Sequence, residues 1–171
     1  MSDLKAEFSI IYDEHIERIY RFVFMKVSSK ETAEDLSSEV FVRVWKNYGK
    51  TDVQNMQAFL YQVARHVIAD YYRKADKTKI VLVEQDLDIE DISASPEEKA
   101  TLSMDMDQVR RALTQLNDDY QNYIIWRYIE ELTLPEIAHI LDKKEDNVRV
   151  GVHRALRALN EAIEGENKAK V

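Results

Sequence analysis

Leu132-Thr-Leu-Pro-Glu-Ile-Ala-His-Ile-Leu-Asp-Lys-Lys-Glu-Asp-Asn-Val-Arg-Val-Gly-Val-His-Arg-Ala-Leu-Arg-Ala-Leu159 reads as two helices joined by a tight turn. Thr133 followed by Glu136 forms a capping box, and Pro135 falls in the first helical turn, where a missing N–H costs nothing. Ile137, Ala138, Ile140 and Leu141 then make a short apolar face. Asp142-Lys-Lys-Glu-Asp146 interrupts the apolar run. A second helix comes next, with Val148, Val152, Ala155, Leu156 and Leu159 on one side and Arg149, His153, Arg154 and Arg157 on the other. A short helix, a sharp turn and a basic second helix match the helix-turn-helix, whose second helix enters the major groove. An ordinary αα-hairpin with a charged outer face has the same apolar periodicity, so this stretch alone leaves both readings open.

Outward from it, the composition predicts an all-α chain. Of 171 residues only three are Gly and two Pro, and 33% are charged. There is no Cys, which excludes disulfides and thiolate metal sites. The first residues, Met1-Ser-Asp-Leu-Lys-Ala-Glu7, have neither a basic stretch nor an apolar one, so no signal peptide is expected. No apolar run is long enough to span a bilayer, and the expected location is cytoplasmic, without membrane insertion. The net charge of −8 is unusual for a nucleic-acid binder, but its distribution matters more than its sum.

Residues 4–27 carry Phe8, Ile11, Tyr12, His15, Ile16, Ile19, Tyr20, Val23 and Val27 at helical steps. His15 lies on this stripe and reads as a packed or half-buried histidine. Ser28 with Glu31 is a further capping box that opens a second helix through Lys46. In that helix Ala33, Leu36, Val40, Phe41, Val44 and Trp45 can face a core, leaving Glu34, Asp35, Ser38, Glu39 and Arg43 on the surface. Residues 47–54 read as a loop and Asn55 as the N-cap of a third helix, Met56 to about Ala75. Opposite its apolar side that helix offers Tyr61, Arg65, His66, Tyr72, Arg73 and Lys74. Between Val40 and Ile80 eight Lys or Arg face three Asp, and cations interleaved with aromatics suit single-stranded nucleic acid.

The composition then inverts. From Glu84 to Asp107 nine acids face one Lys, which predicts an extended acidic spacer. Three parts are expected: an N-terminal helical domain over 1–75, a flexible acidic linker over 76–94, and a C-terminal helix-turn-helix domain over 95–171. Ser95-Pro-Glu-Glu98 is a helix start, and that helix should run to about Gln115. Asn117 or Asp118 caps the next, packed through Tyr120, Tyr123, Ile124, Trp126, Tyr128 and Ile129.

Three segments together resemble a bacterial RNA polymerase sigma factor of the extracytoplasmic-function (ECF) group. Ala33 through Lys46 is similar to the family's core-polymerase-binding helix. Phe59 through Lys74 is similar to its promoter-melting helix, and Leu116 through Leu159 to its minus-thirty-five-reading domain. The resemblance implies that Asp35, Leu36, Glu39, Phe41 and Arg43 lie on or beneath the surface gripping core RNA polymerase. It implies that Asn47, Lys50, Asn55, Tyr61, Arg65, His66, Arg73 and Lys74 hold the unpaired minus-ten strand. It implies that Lys144, Asn147, Arg149, His153, Arg154 and Arg157 face minus-thirty-five duplex DNA. It further implies an anti-sigma factor as a partner.

The chain departs from the family at several positions. Asp142, Lys143 and Lys144 fill a turn where the family usually has a Gly, an aliphatic residue and a small capping residue. Val150 and Gly151 stand where the reading helix is commonly basic or polar, and Ser38 replaces an expected Gln. Two other classes fit part of the pattern: a two-domain helix-turn-helix regulator, and a sigma-like decoy that holds a partner without touching DNA. No nucleophile–base pair, phosphate-cradling Gly loop or metal-ligand cluster is visible, so neither catalysis nor a cofactor nor a metal is expected.

Overall fold

A computed structural model describes residues 2–78 and 106–169. The expected linker over 76–94 and the helix start at Ser95-Pro-Glu-Glu98 fall largely or wholly outside the described residues. What is described is helical, and its one β-type pairing is the isolated bridge between Tyr48 and Thr51. The chain divides into two compact units. The first is carried by α1 (Ser2–Val27), α2 (Lys30–Asn47) and α3 (Met56–Thr78). The second is built on α4 (106–114), α5 (Asp118–Ile124), the start of α6 (Leu134–Leu141), and α7 (Glu145–Ala169).

In the first unit the apolar stripes of the three helices meet. Ile19, Phe22 and Val23 of α1, Leu36, Val40 and Val44 of α2, and Leu60, Ala64 and Val67 of α3 are buried. The α1–α2 junction differs from expectation. Ser29, not Ser28, is the N-cap of α2: its hydroxyl accepts the Thr32 N–H at 3.3 Å. Ser28 instead ends α1 in the left-handed region at φ 55, with its N–H donating to the Phe24 carbonyl at 2.8 Å. The adjacent serines thus divide helix stop from helix start, and the capping box with Glu31 does not form. α2 runs through Asn47, and Tyr48-Gly49 turn the chain, with Gly49 at φ 83. Asn55 accepts the Ala58 N–H at 3.0 Å, as its N-cap role requires. α3 extends to Thr78 rather than ending at about Ala75.

In the second unit Asn117 caps α5, accepting the Tyr120 N–H at 2.9 Å. α5 passes into a single π turn, Ile125–Ile129, closed by the Glu130 N–H on the Ile125 carbonyl at 2.8 Å. An extra residue in one turn rotates the side chains beyond it by about 100°. Tyr123, Ile124, Ile125 and Trp126 stay buried, but Tyr128, expected to pack, is 49% exposed. Arg127 donates to the Leu132 carbonyl at 3.0 Å and ties down the turn leading into α6.

Candidate nucleic-acid interface

α6 and α7 owe their ends to local chemistry. The Thr133–Glu136 capping box forms in both directions: each backbone N–H reaches the other's side-chain oxygen at 3.2 Å. α6 stops at Asp142, whose φ of 51 reverses the chain. Lys144 takes the N-cap place of α7 with no side-chain oxygen to offer, and only its carbonyl is used, by Asn147 and Val148 at 3.0 and 3.2 Å. The acids Glu145 and Asp146 in the first turn complement the helix dipole instead.

Along α7 the inward stripe is Val148, Val152, Ala155 and Leu159. All six predicted duplex-facing residues, Lys144, Asn147, Arg149, His153, Arg154 and Arg157, are exposed, so the helix brings them onto its solvent side. They are not equivalent. Arg149 has Glu145 and Asp146 each at 3.6 Å, with its side chain still 63% exposed. Among the described residues Arg154 and Arg157 have no carboxylate partner. Val150 is exposed on the same side. Gly151 turns inward: a Cβ there would come within 2.6 Å of the Tyr123 ring. Its missing side chain is a packing requirement of α7 on α5, not a subtraction from the outer face.

In the first unit Asp35 and Glu39 are exposed on α2, while Leu36 and Phe41 lie beneath them in the core. Arg43 donates to Glu39 at 2.5 and 3.1 Å and to Asp70 of α3 at 3.2 Å, and Asp70 also holds Arg73 at 3.3 Å. Hydrogen bonding to Glu39 pushes the Arg43 pKa further up against its own desolvation, and Asp70 adds to the rise. A chain of alternating charge therefore runs from the α2 face to the basic end of α3. Asp70 was not among the candidate residues. Its signal in the sequence was a lone acid three residues before Arg73, in a basic segment.

The basic side of α3 is narrower than expected. His66, Arg73 and Lys74 are exposed and Arg65 is half-buried. Tyr61 is not available to a base: it is 1% exposed, with its ring edge-on to Phe22 at 5.4 Å. It lies three and seven residues before the buried Ala64 and Ile68, which puts it on the apolar stripe. Asn47, expected in the loop, is the last residue of α2 and donates to the Arg43 carbonyl at 3.0 Å. Lys50 stands exposed in the loop. His15 is half-buried as expected, and desolvation lowers its pKa, outweighing the raising effect of Glu14; Arg18 lowers it further. Among the described residues no group of His, Asp and Glu is arranged to hold a metal, and no helix is long and apolar enough to cross a membrane.

Residues 11–78 match the family description Sigma-70 region 2, and residues 106–159 match Sigma-70, region 4. The ECF RNA polymerase sigma factor SigX of Bacillus subtilis is 30% identical over 166 residues, spanning 94% of this chain and 86% of SigX. The chain belongs to the ECF group of RNA polymerase sigma factors. As an alternative sigma factor it binds core RNA polymerase and promoter DNA and directs transcription initiation. The ECF sigma factor BldN of Streptomyces coelicolor is 29% identical over 154 residues, and there the match covers 89% of this chain but 58% of the relative. The fold of this sigma factor is that of RpoE from Bartonella quintana, solved with the anti-sigma factor NepR (TM-score 0.69, 18% identity, 96% and 98% of the two chains). It is also that of CnrH, solved with the cytosolic domain of CnrY (TM-score 0.70, 15% identity, 94% and 90%).

Proposed function

We propose that the two units divide promoter recognition between them. α2 docks on core polymerase through Asp35, Glu39 and Arg43, with Leu36 and Phe41 holding the helix from below. Lys50, Asn55, Arg65, His66, Arg73 and Lys74, with Asn47 at the end of α2, hold the unpaired minus-ten strand. Lys144, Asn147, Arg149, His153, Arg154 and Arg157 meet the minus-thirty-five duplex. The acidic segment over 76–94 joins the two units. The sigma factor works in the cytoplasm and makes or breaks no bond of its own. An anti-sigma factor restrains it, as the anti-sigma factor NepR accompanies the solved sigma factor RpoE.

The observation that carries this reading is the sign of the exposed charge left unpaired at the two candidate faces, among the described residues. Unpartnered acid projects from α2 at Asp35, and unpartnered cation projects from α7 at Arg154 and Arg157, among the described residues. Cations positioned against phosphate supply affinity, while base edges are read by the few side chains that reach them. The close approach of Gly151 to the Tyr123 ring removes one argument for a decoy that avoids DNA, because a side chain at that position would point inward and not to the outer face.

The test uses holoenzyme reconstituted from core polymerase and the full chain on a promoter carrying 2-aminopurine in the melted segment. The variant Arg65→Ala/Arg73→Ala/Lys74→Ala should lower the fluorescence rise on opening and leave duplex binding in place. Opening equal to wild type would remove α3 from strand capture.

A further inference from the structure

Between α1 and α2 lies a cleft of about 310 Å³ that the division of labour above does not use. Tyr12, Ile16, Glu17 and Tyr20 line it from α1, and Glu34 and Ser37 from α2. The spacing is set by the helices: residues 12, 16 and 20 recur at four-residue steps on one face, and residues 34 and 37 sit one turn apart on the other. The tyrosines are held in place. Tyr12 packs edge-on against Phe41 at 4.8 Å, and Tyr20 stacks with Phe24 at 6.1 Å.

Two features mark this cleft as unfinished in the isolated chain. Neither Glu17 nor Glu34 has a cationic partner among the described residues, so two carboxylates share one recess uncompensated. Ser37, one of the residues that line the recess, is 2% exposed, and its buried hydroxyl has no hydrogen-bond partner. Burying an unsatisfied hydroxyl costs free energy, and such groups are uncommon unless something fills the site. Burial and the Glu34 charge both raise the pKa of Tyr20, which agrees with a partly desolvated recess of negative potential.

The chemistry that satisfies all of these groups at once is planar, cationic and rich in N–H donors. A guanidinium forks onto carboxylates, donates to a hydroxyl and stacks on aromatic faces, which a compact ammonium does less well. Ser38 borders the cleft and lies one turn beyond Glu34, so the recess opens beside the Asp35–Glu39 stripe of α2. We propose that this cleft receives an arginine side chain of core polymerase, donating to Glu17, Glu34 and Ser37 between the rings of Tyr12 and Tyr20. The inference rests on reading α2 as the docking face, and it adds an anchoring pocket beside that face. An arginine held between aromatic rings at the edge of a charged surface, and desolvated as the partner covers it, is the kind of contact that dominates protein interfaces.

Affinity for core polymerase is measured with the full-length chain for three double variants and one single, each checked by thermal melting. Glu17→Gln/Glu34→Gln keeps shape and removes both cleft charges. Asp13→Asn/Glu14→Gln removes two exposed charges of α1 outside the cleft. Asp35→Arg/Glu39→Arg reports on the docking face itself, and Ser37→Ala removes only the unpartnered hydroxyl. The cleft pair should weaken binding about tenfold and the control pair much less. Ser37→Ala should weaken binding while leaving the melting temperature unchanged or higher. Wild-type affinity for the cleft pair, equal weakening by the control pair, or wild-type affinity for Ser37→Ala would each overturn the pocket. In those cases, loss of binding by Asp35→Arg/Glu39→Arg would leave the docking face standing. Full binding by Asp35→Arg/Glu39→Arg would remove the face and the pocket together.

Discussion

The ring of Tyr123 lies so close over Gly151 that a Cβ on the glycine would sit 2.6 Å from two ring carbons. Tyr123 is itself buried, so it cannot swing away without opening the packing of α5 on α7. Helix propensity alone favours Ala over Gly by about 1 kcal/mol, while overpacking a core costs about 1–3 kcal/mol. Steric cost should therefore win. Gly151→Ala should lower the melting temperature of the second unit, and adding Tyr123→Leu should recover part of the loss. A Gly151→Ala protein as stable as wild type would show that the contact relaxes freely.

Asp35 has no ion-pair partner among the described residues, whereas Glu39 is bonded to Arg43. Asp35→Arg should therefore cut core-polymerase affinity with no change in melting temperature. Glu39→Arg should do the same while also losing about 0.2–1 kcal/mol of stability, because it sets two cations against each other on α2. Co-purification of Asp35→Arg with core polymerase at unchanged affinity would show that α2 is not the docking helix.

On α7, Glu145 and Asp146 hold Arg149 and would repel approaching phosphate. Glu145→Gln/Asp146→Asn should strengthen binding to any duplex at low salt, with a smaller gain at high salt. Arg149→Ala should cost about 1–3 kcal/mol of discrimination at one base pair, whereas Arg157→Ala should weaken all sequences alike. Binding to a set of single-base duplex variants across a salt titration separates the two behaviours.

Much of this was legible in the sequence because it is local. The Thr133–Glu136 box, the Asn55 and Asn117 caps and the α7 stripe each depend on residues within a turn or two, and each formed. The features that were not legible depend on tertiary context or on competition between neighbours. Either Ser28 or Ser29 can cap a helix; which one does so is decided by where α1 must end. The π turn leaves no mark in the periodicity, yet it puts Tyr128 in solvent. Tyr61 has a polar tip that suggests a surface, but its spacing to Ala64 and Ile68 places it in the core. Gly151 read as a weak point of the reading helix because the ring of Tyr123, 28 positions away in the chain, is brought over it only by folding.

His15 supplies a pH dependence. Burial lowers its pKa in the folded chain, so below the unfolded value of 6.5 the unfolded state binds the proton more readily. The stabilising contribution is complete above that value and is lost as pH falls through the folded pKa. The first unit should therefore lose stability on acidification below about pH 6.5, and His15→Gln should flatten that part of the profile. Denaturant melts of wild type and variant at several pH values give the comparison directly.

The division of promoter reading between the two units is tested most directly by transcription from a randomised promoter library. Core polymerase is supplied with wild-type chain or with Arg149→Ala/His153→Ala/Arg154→Ala/Arg157→Ala. Wild type should select two separated elements, and the α7 variant should lose the upstream preference while keeping the downstream one. If both preferences vanish together, or if neither changes, the assignment of duplex reading to α7 and strand capture to the first unit is wrong.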